Sequence, residues 1–177
     1  AYHEAGHAIL ALKLEHCDPV HEVSIIPRGA AGGYTMMLPK EDTSYVTRSK
    51  LEDTIAMALG GRVAEKLRMG DISTGAYSDL QHASEVAHKM VAEYGMSEEI
   101  GPIFLGGQTE VFVGLEWGHE RNYSEALAAR VDEAIRAHVV RADNSRYSKV
   151  KEIAKYLVAM FPQKGTVMTQ CFGETIV

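Results

Sequence analysis

The segment that most constrains this chain lies at residues 3–7, where His-Glu-Ala-Gly-His places two histidines four positions apart. Side chains at positions i and i+4 stand one above the other on the same face of an α-helix. Residues 8–12 are all small or aliphatic, which is typical of a buried helix. Buried imidazoles and carboxylates are unfavourable without partners, so this helix must place His3, Glu4 and His7 where something binds them.

The spacing predicts a metal site on this helix. Two imidazoles on one helical turn can bind Zn²⁺ at about 2.0–2.1 Å, and a glutamate directly after the first histidine stays beside the metal without being a ligand. Glu4 can then take a proton from a water whose pKa the metal has lowered towards about 7, and return it to a leaving amine. This chemistry indicates a zinc peptidase. The competing interpretation, a surface helix with two histidines and an acid, fits the apolar flank less well.

A catalytic zinc ion needs a third protein ligand and keeps a fourth position for water. The extended pattern H-E-x-x-H-x-x-G-x-x-H does not supply it, because Leu10 and Lys13 stand where that pattern needs glycine and histidine. Asp79, on the apolar face of a predicted helix and near its N-terminus, is one candidate. Glu65 is another, and Asp71, in a predicted loop, is a weaker one. The residue pattern leaves the choice between Glu65 and Asp79 open.

The first forty residues predict a helix followed by a small sheet. Residues 1–16 have the pattern of a helix that ends before Pro19. β-Branched residues at 20–27 and a second run at 34–38, separated by a glycine-rich turn at 28–33, predict a hairpin. With the helices that follow, this pattern indicates a mostly helical α+β fold with one small sheet.

Three further helices are expected. The first covers residues 49–69, with Gly60-Gly61 as an interruption, and has Glu65 near the face that carries Ile55. The second covers 78–94. Its predicted N-cap is Ser78, and Gly95 follows its end.

The last predicted helix covers residues 123–161. Ser124 is its expected N-cap, Pro162 ends it, and the polar residues 143–145 offer a break that would divide it in two.

Charge and composition exclude several classes of protein. The 18 Lys and Arg against 24 Asp and Glu give a net charge of −6, which argues against nucleic acid as a partner. No apolar run approaches the roughly 18–20 residues of a membrane span. Cys17 and Cys171 lie far apart, which excludes a disulfide scaffold and a thiolate zinc site. Because Ala1 already has the pattern of mid-helix without a preceding cap, we expect a piece of a longer protein.

Several blocks come in an order and spacing that resemble one known family. They are A-Y-H-E-A-G-H-A (1–8), S-I-I-P-R-G (24–29), G-Y-T (33–35), L-G-G-R-V-A-E (59–65), S-T-G-A-Y-S-D-L (73–80) and Y-G-M-S-E-E-I-G-P (94–102). The chain is similar to the FtsH-type family of membrane-anchored, ATP-dependent zinc proteases. The similarity is strong over residues 1–105 and at N-Y-S-E (122–125), and is a helical pattern from there to residue 160.

The resemblance implies roles for the site residues. His3 and His7 match the two zinc-binding histidines, Glu4 the catalytic base, and Asp79 the aspartate that completes a site for one Zn²⁺ per chain. Glu65 resembles the glutamate that supports the histidines, long a rival for the position of third ligand. We therefore expect a zinc endopeptidase with an aspartate as third ligand, and a peptidase that uses Glu65 instead is the alternative.

The resemblance also implies a strand that binds substrate. Gly33, Tyr34, Thr35 and Met36 lie in a segment that resembles the edge strand on which an extended polypeptide binds. Free N–H and C=O groups at a sheet edge can pair with any polypeptide, so unfolded or membrane proteins are the expected substrates.

Family peptidase domains assemble as a sixfold ring beneath an ATPase ring, so the resemblance implies a homohexamer. It also implies a membrane anchor outside this chain, with this domain in the cytoplasm, matrix or stroma. No G-x-x-x-x-G-K-[ST] loop occurs, so ATP is expected only in an ATPase domain outside this chain. We expect one domain over residues 1–177, with a zinc-site core (1–105), a helical region (122–161) and a tail (162–177). An inactive assembly module of the same family is the remaining alternative.

Overall fold

The computed structural model describes residues 1–27, 32–39, 44–106 and 123–160, and describes 143–160 by their backbone alone. Its elements are α1 (Tyr2–Lys13), β1 (Val20–Ser24), β2 (Tyr34–Met37), α2 (Arg48–Ala58), α3 (Gly60–Met69), α4 (Tyr77–His88) and α5 (Glu125–Met160), with a 3₁₀ turn at Thr74–Ala76 and a π-helical turn at Lys89–Glu93. The prediction of a mostly helical α+β fold with one small sheet is confirmed. No helix within these described ranges is both long and apolar enough to cross a membrane.

Helix α1 is shorter than predicted. It ends at Lys13, and Leu14 adopts extended backbone angles (φ −86°, ψ 135°). His16, predicted to be helical, lies in a turn, where its backbone N–H donates to Asp53 Oδ2 at 3.2 Å and its Nδ1 lies 3.2 Å from the same oxygen. This contact with α2 competes with another helical turn, and a local residue pattern does not contain it.

The predicted hairpin is confirmed as an antiparallel pair of strands. Ser24 pairs with Tyr34 and Val20 with Met37, with an irregularity in register after Val20. β1 ends at Ser24, three residues before its predicted end. There the Ser24 hydroxyl accepts a hydrogen bond from Ile26 N–H at 3.3 Å, which offers the backbone an alternative to the sheet ladder.

The predicted helix over residues 49–69 is interrupted, as expected, and the break divides it into α2 and α3 at Leu59. The break brings Gly60 against α1, where a Cβ on Gly60 would lie 2.8 Å from the carbonyl oxygen of Gly6. The prediction that Glu65 lies near the Ile55 face of one helix is therefore wrong. Glu65 belongs to α3, and its Oε1 lies 3.0 Å from His3 Nδ1 on α1.

Helix α4 begins one residue earlier than predicted. It starts at Tyr77, directly after the 3₁₀ turn, so Ser78 is not its N-cap. The capping hydroxyl belongs to Ser73, which accepts from Gly75 N–H at 3.2 Å at the start of the 3₁₀ turn. Gly95, with φ +59°, follows the π-helical turn, as predicted for the end of this helix.

Helix α5 runs continuously through residues 143–145, so the break offered there by the polar residues does not occur. Ser124 accepts from Leu127 N–H at 3.3 Å, as predicted for its N-cap. The glycine-rich turn at 28–31, Cys171 and the tail at 162–177 lie outside the described residues.

The core is divided among three helix contacts. Buried side chains from α2 and α4 form one cluster, those from α1, α2 and α3 a second, and α5 packs on a third with the segment after α4. Their fully buried members include Leu10, Ile55, Leu59, Met90 and Val91. The first turn of α1 is thereby held between α3 and the hairpin, with its polar side chains facing a cleft.

Candidate metal centre

Helices α1 and α3 meet through glycine backbone. A Cβ on Gly6 would overlap the carbonyl oxygen of Gly60. A Cβ on Gly61 would lie 2.5 Å from Nε2 of both His3 and His7. We call this contact the glycine seam (Gly6, Gly60 and Gly61). The two imidazoles occupy the space that the missing side chain of Gly61 leaves.

Three potential ligand atoms meet beside the glycine seam. The Nε2 atoms of His3 and His7 lie 3.0 Å apart. Asp79 Oδ2 lies 3.0 Å from His3 Nε2 and 3.6 Å from His7 Nε2. Ligand atoms around a tetrahedral zinc ion, each at about 2.0–2.1 Å, are about 3.3–3.4 Å from one another. The three separations fit one face of such a tetrahedron.

Asp79 Oδ2 carries a second sign that a cation belongs here. The atom is buried and has no hydrogen-bond partner among the described residues. A buried carboxylate oxygen without a donor is strongly unfavourable unless a cation binds it. The donor set of two imidazoles and one carboxylate, within 4.8 Å of one another, is one that zinc accepts.

Both imidazoles are anchored through Nδ1, which leaves Nε2 available. His7 Nδ1 lies 2.8 Å from the carbonyl oxygen of Met57, which can only accept, so this nitrogen carries the proton. His3 Nδ1 lies 3.0 Å from Glu65 Oε1 and donates to that carboxylate in the same way. A proton on Nδ1 directs the Nε2 lone pair towards a metal.

Glu65 is directed away from the three ligand atoms. Its Oε2 accepts from Ser73 N–H at 3.0 Å, and Ser73 Oγ lies 3.0 Å from its Oε1. The structure therefore brings Asp79, and not Glu65, to the Nε2 side of the histidines. Asp71 is exposed, and its carboxylate accepts from Ile72 N–H at 2.8 Å, outside the cluster.

The acids of the site stay charged for separate reasons. Burial raises the pKa of Asp79, but the nearby imidazoles of His3 and His7 outweigh it and hold that pKa well below its usual range. Burial also opposes ionisation of Glu65, and hydrogen bonds from Ser73 and His3 lower its pKa below the ordinary value. The nearby Asp79 carboxylate, partly offset by burial, raises the pKa of His3.

Glu4 faces the hairpin instead of the ligand cluster. Its Oε2 accepts from the Thr35 hydroxyl at 3.0 Å. A Cβ on Gly33 would lie 3.0 Å from the other carboxylate oxygen, Oε1. The missing side chain of Gly33, directly before β2, therefore leaves room for that oxygen. Glu4 is thus close to the ligands without being one of them.

His3, Glu4, His7, Glu65 and Asp79 line one cleft of about 570 Å³ between α1, α4 and the hairpin. Gly33, Tyr34 and Thr35, predicted to bind substrate, line the cleft, and so does His82, one turn after Asp79. Met36 does not line it. That side chain is 41% exposed, and Met37 lines the cleft in its place.

Sequence reasoning missed two anchors of the site. Ser73 has a recognisable signal, because a serine before Thr-Gly is a typical start of a capped turn. The Met57 carbonyl has none, since any residue supplies a carbonyl and only the packing of α1 on α2 and α3 selects this one.

Comparisons with known proteins identify the family of the chain. Residues 1–164 match the sequence pattern of Peptidase family M41. The chain is 48% identical over 185 aligned positions to "ATP-dependent zinc metalloprotease FtsH 1" of Thermoanaerobacter sp. (strain X514), covering 99% of this chain and 30% of that protein. It is 53% identical over 158 residues to the FtsH protein of Veillonella parvula, covering 89% of this chain and 25% of that protein.

A third relative, "ATP-dependent zinc metalloprotease FtsH" of Bacillus subtilis (strain 168), is 44% identical over 155 residues, which cover 86% of this chain and 24% of that protein. The resemblance seen in the sequence is thereby confirmed. The chain spans less than a third of the length of these curated relatives.

Proposed function

This chain belongs to Peptidase family M41, and from that premise we propose that it is a zinc-dependent endopeptidase domain. In this proposal His3, His7 and Asp79 hold one Zn²⁺, and Glu4 is the general base. The observation that carries the proposal is the buried Asp79 oxygen, without a hydrogen-bond donor, facing two imidazole nitrogens at 3.0 and 3.6 Å.

The chemistry follows from how the side chains are oriented. Held by His3, His7 and Asp79, Zn²⁺ would supply a Lewis acid for the scissile carbonyl and a lowered pKa for a bound water. Glu4 is the group that would accept a proton from a water attacking the carbonyl carbon and return it to the amide nitrogen as the C–N bond breaks. Glu65 and the Met57 carbonyl keep the imidazoles of His3 and His7 in the tautomer that leaves Nε2 free.

β2 supports an extended polypeptide as substrate. Among the described residues β2 pairs only with β1, and its Thr35 side chain contacts Glu4, so we propose the other edge of β2 as the place where a polypeptide adds as a further strand. A polypeptide that adds to this edge needs no particular side chains, which suits unfolded or membrane proteins as substrates. Gly33, Tyr34 and Thr35 line the cleft, together with Gly32 and Met37.

The larger assembly is also part of the proposal. The names of the relatives describe ATP-dependent enzymes, and this chain covers about a quarter of their length, so we place the ATPase and the membrane anchor outside it. The family resemblance supports a hexameric ring. Within the chain we propose a zinc-site core at residues 1–105, a helical region at 122–161 and a tail at 162–177.

Metal content and proteolysis test the proposal together. We expect Asp79→Ala to lose zinc, Glu65→Ala to keep most of it, and Glu4→Gln to keep zinc but lose hydrolysis of unfolded casein. If Glu65→Ala alone lost zinc, the ligand assignment would be wrong. If the zinc-loaded wild-type protein cleaved no unfolded substrate, and Glu4→Gln behaved the same, the chain would be an inactive assembly module.

A further inference from the structure

We propose that Thr35 is a positioning residue for Glu4, so that the strand that binds substrate also fixes the orientation of the general base. The inference rests on the proposed function. The observation behind it is the contact of the Thr35 hydroxyl on the hairpin with Glu4 on α1. Thr35 Oγ1 lies 3.0 Å from Glu4 Oε2 and 3.3 Å from the backbone oxygen of Glu4.

The hydroxyl has one hydrogen, and the carboxylate is the better acceptor. The contact to Oε2 is the shorter of the two. A hydrogen bond to a charged oxygen is roughly twice as strong as a neutral one. The carbonyl of Glu4 belongs to the α1 ladder, where the helical N–H four residues later already binds it.

Thr35 is the only described group that donates a hydrogen bond to the Glu4 carboxylate. A glutamate side chain rotates about three bonds, and fixing it is opposed by the loss of conformational entropy. Without the hydroxyl, the Glu4 carboxylate would have no hydrogen-bond donor among the described residues. Thr35 therefore selects one rotamer.

The neighbouring glycine completes the arrangement. Gly33 lies directly before β2, two positions from Thr35, and both residues face Glu4. A Cβ on Gly33 would lie 3.0 Å from Glu4 Oε1. Thr35 binds one carboxylate oxygen, and Gly33 leaves space beside the other, which is the oxygen available to a water.

The proposal separates two roles for the same residue. If the Thr35 hydroxyl bound substrate, its removal would raise KM. If it positions the base, its removal lowers kcat and leaves KM and zinc content unchanged, because Glu4 is neither a ligand nor part of the substrate edge.

We would compare Thr35→Val, which keeps the shape and removes the hydroxyl, with Thr35→Ser, which keeps the hydroxyl. In the zinc-loaded protein with an unfolded casein substrate, we expect Thr35→Val to lower kcat roughly 10- to 100-fold, with KM within about twofold. Thr35→Ser should restore kcat to within about threefold of the wild type. A crystal structure of Thr35→Val should show the Glu4 carboxylate displaced and both imidazoles in place.

Thr54→Val is the matched control. It removes a hydroxyl that donates to Lys50 O at 2.8 Å within α2, away from the cleft, and should leave kcat unchanged. An active wild type, an inactive Glu4→Gln and a Thr35→Val variant with unchanged kcat would overturn this inference while leaving the proposed function intact. A raised KM with unchanged kcat would overturn it too, and inactive wild-type protein would overturn the proposed function itself.

Discussion

Two kinds of contact hold the groups around the cleft. At the glycine seam the backbones of α1 and α3 come together, and the buried His7 is anchored to a backbone carbonyl. Two acids of the same helices are instead held by hydroxyls, Glu4 by Thr35 and Glu65 by Ser73. We call these two the hydroxyl anchors. Backbone contacts leave no room for adjustment, whereas a hydroxyl contact can be lost without moving the chain, so changes at the seam should have larger effects.

The largest effect is expected at the centre of the seam. Gly6→Ala places a methyl group against the Gly60 carbonyl, and neither backbone can move without separating α1 from α3. We expect the free energy of unfolding to fall by about 3 kcal/mol, as for severe overpacking. Urea denaturation of the zinc-free protein measures it.

Gly32→Ala is the control, because a Cβ there has no neighbour within 4 Å among the described residues. It should change the free energy of unfolding by less than about 0.5 kcal/mol. A loss below about 1 kcal/mol for Gly6→Ala would contradict a rigid seam.

The next effect separates metal binding from folding at adjacent positions. Gly61→Ala presses on the ends of two imidazoles, which can rotate away, so the fold should survive while zinc affinity falls roughly 100-fold. Gly60→Ala meets the Gly6 carbonyl and a Leu10 methyl, so it should reduce stability more than zinc affinity. Competition with a zinc chelator and urea denaturation distinguish them. If Gly61→Ala and Gly60→Ala lowered zinc affinity equally, the assignment of Gly61 to metal binding and Gly60 to folding would be wrong.

The sequence predicts the parts of this architecture that depend on local spacing. His3 and His7 share a helical face because of their separation alone, and the hairpin follows from two β-branched runs around a glycine-rich turn. The break between α2 and α3 was foreseen at two glycines. Its consequence was not, because Gly60 serves a contact with Gly6, more than fifty residues earlier in the chain.

The candidate site shows the same limit. Asp79 and Glu65 are both acids on the apolar face of a predicted helix. Residue patterns do not tell which of them lies beside the Nε2 atoms of the histidines and which lies beside an Nδ1 atom. That requires the relative placement of α1, α3 and α4. Family resemblance favoured Asp79 from the sequence, and the distances support the same choice on independent grounds.

A smaller effect is expected at a hydroxyl anchor. Ser73→Ala removes the hydroxyl on Glu65 but keeps the backbone N–H, so Glu65 should still reach His3 with less restraint. We expect zinc affinity to fall roughly tenfold, the lower end for loss of an outer hydrogen-bonding partner, and Ser73→Thr to restore it. Chelator competition measures both.

Ser84→Ala provides the control, because it removes an exposed hydroxyl that donates to Leu80 O at 2.8 Å on α4. Its zinc affinity should equal that of the wild type. If Ser73→Ala lowered zinc affinity as much as Gly61→Ala, changes at the glycine seam would not have larger effects than changes at the hydroxyl anchors.

The smallest effect is expected at His138, away from the cleft. It sets the pH at which the stability of the variants should be compared. Burial, together with Arg141 on α5 and Arg48 on α2, lowers the pKa of His138 below its ordinary 6.5, and Glu52 on α2 opposes this only in part. Below about pH 6.5 the unfolded chain therefore binds a proton that the folded chain does not.

Stability linked to His138 is thus fully present above about pH 6.5 and is lost as the pH falls towards the lowered pKa of the folded protein. We expect His138→Gln to flatten the fall in the free energy of unfolding between pH 7.5 and 5, and His88→Gln, at an exposed histidine of α4, to leave it unchanged. An unaltered slope in His138→Gln would show that other groups carry the acid sensitivity. Protonation of His138 in the unfolded chain would add to the loss of stability caused by a glycine substitution. The free energies of unfolding of the glycine variants should therefore be compared above about pH 6.5.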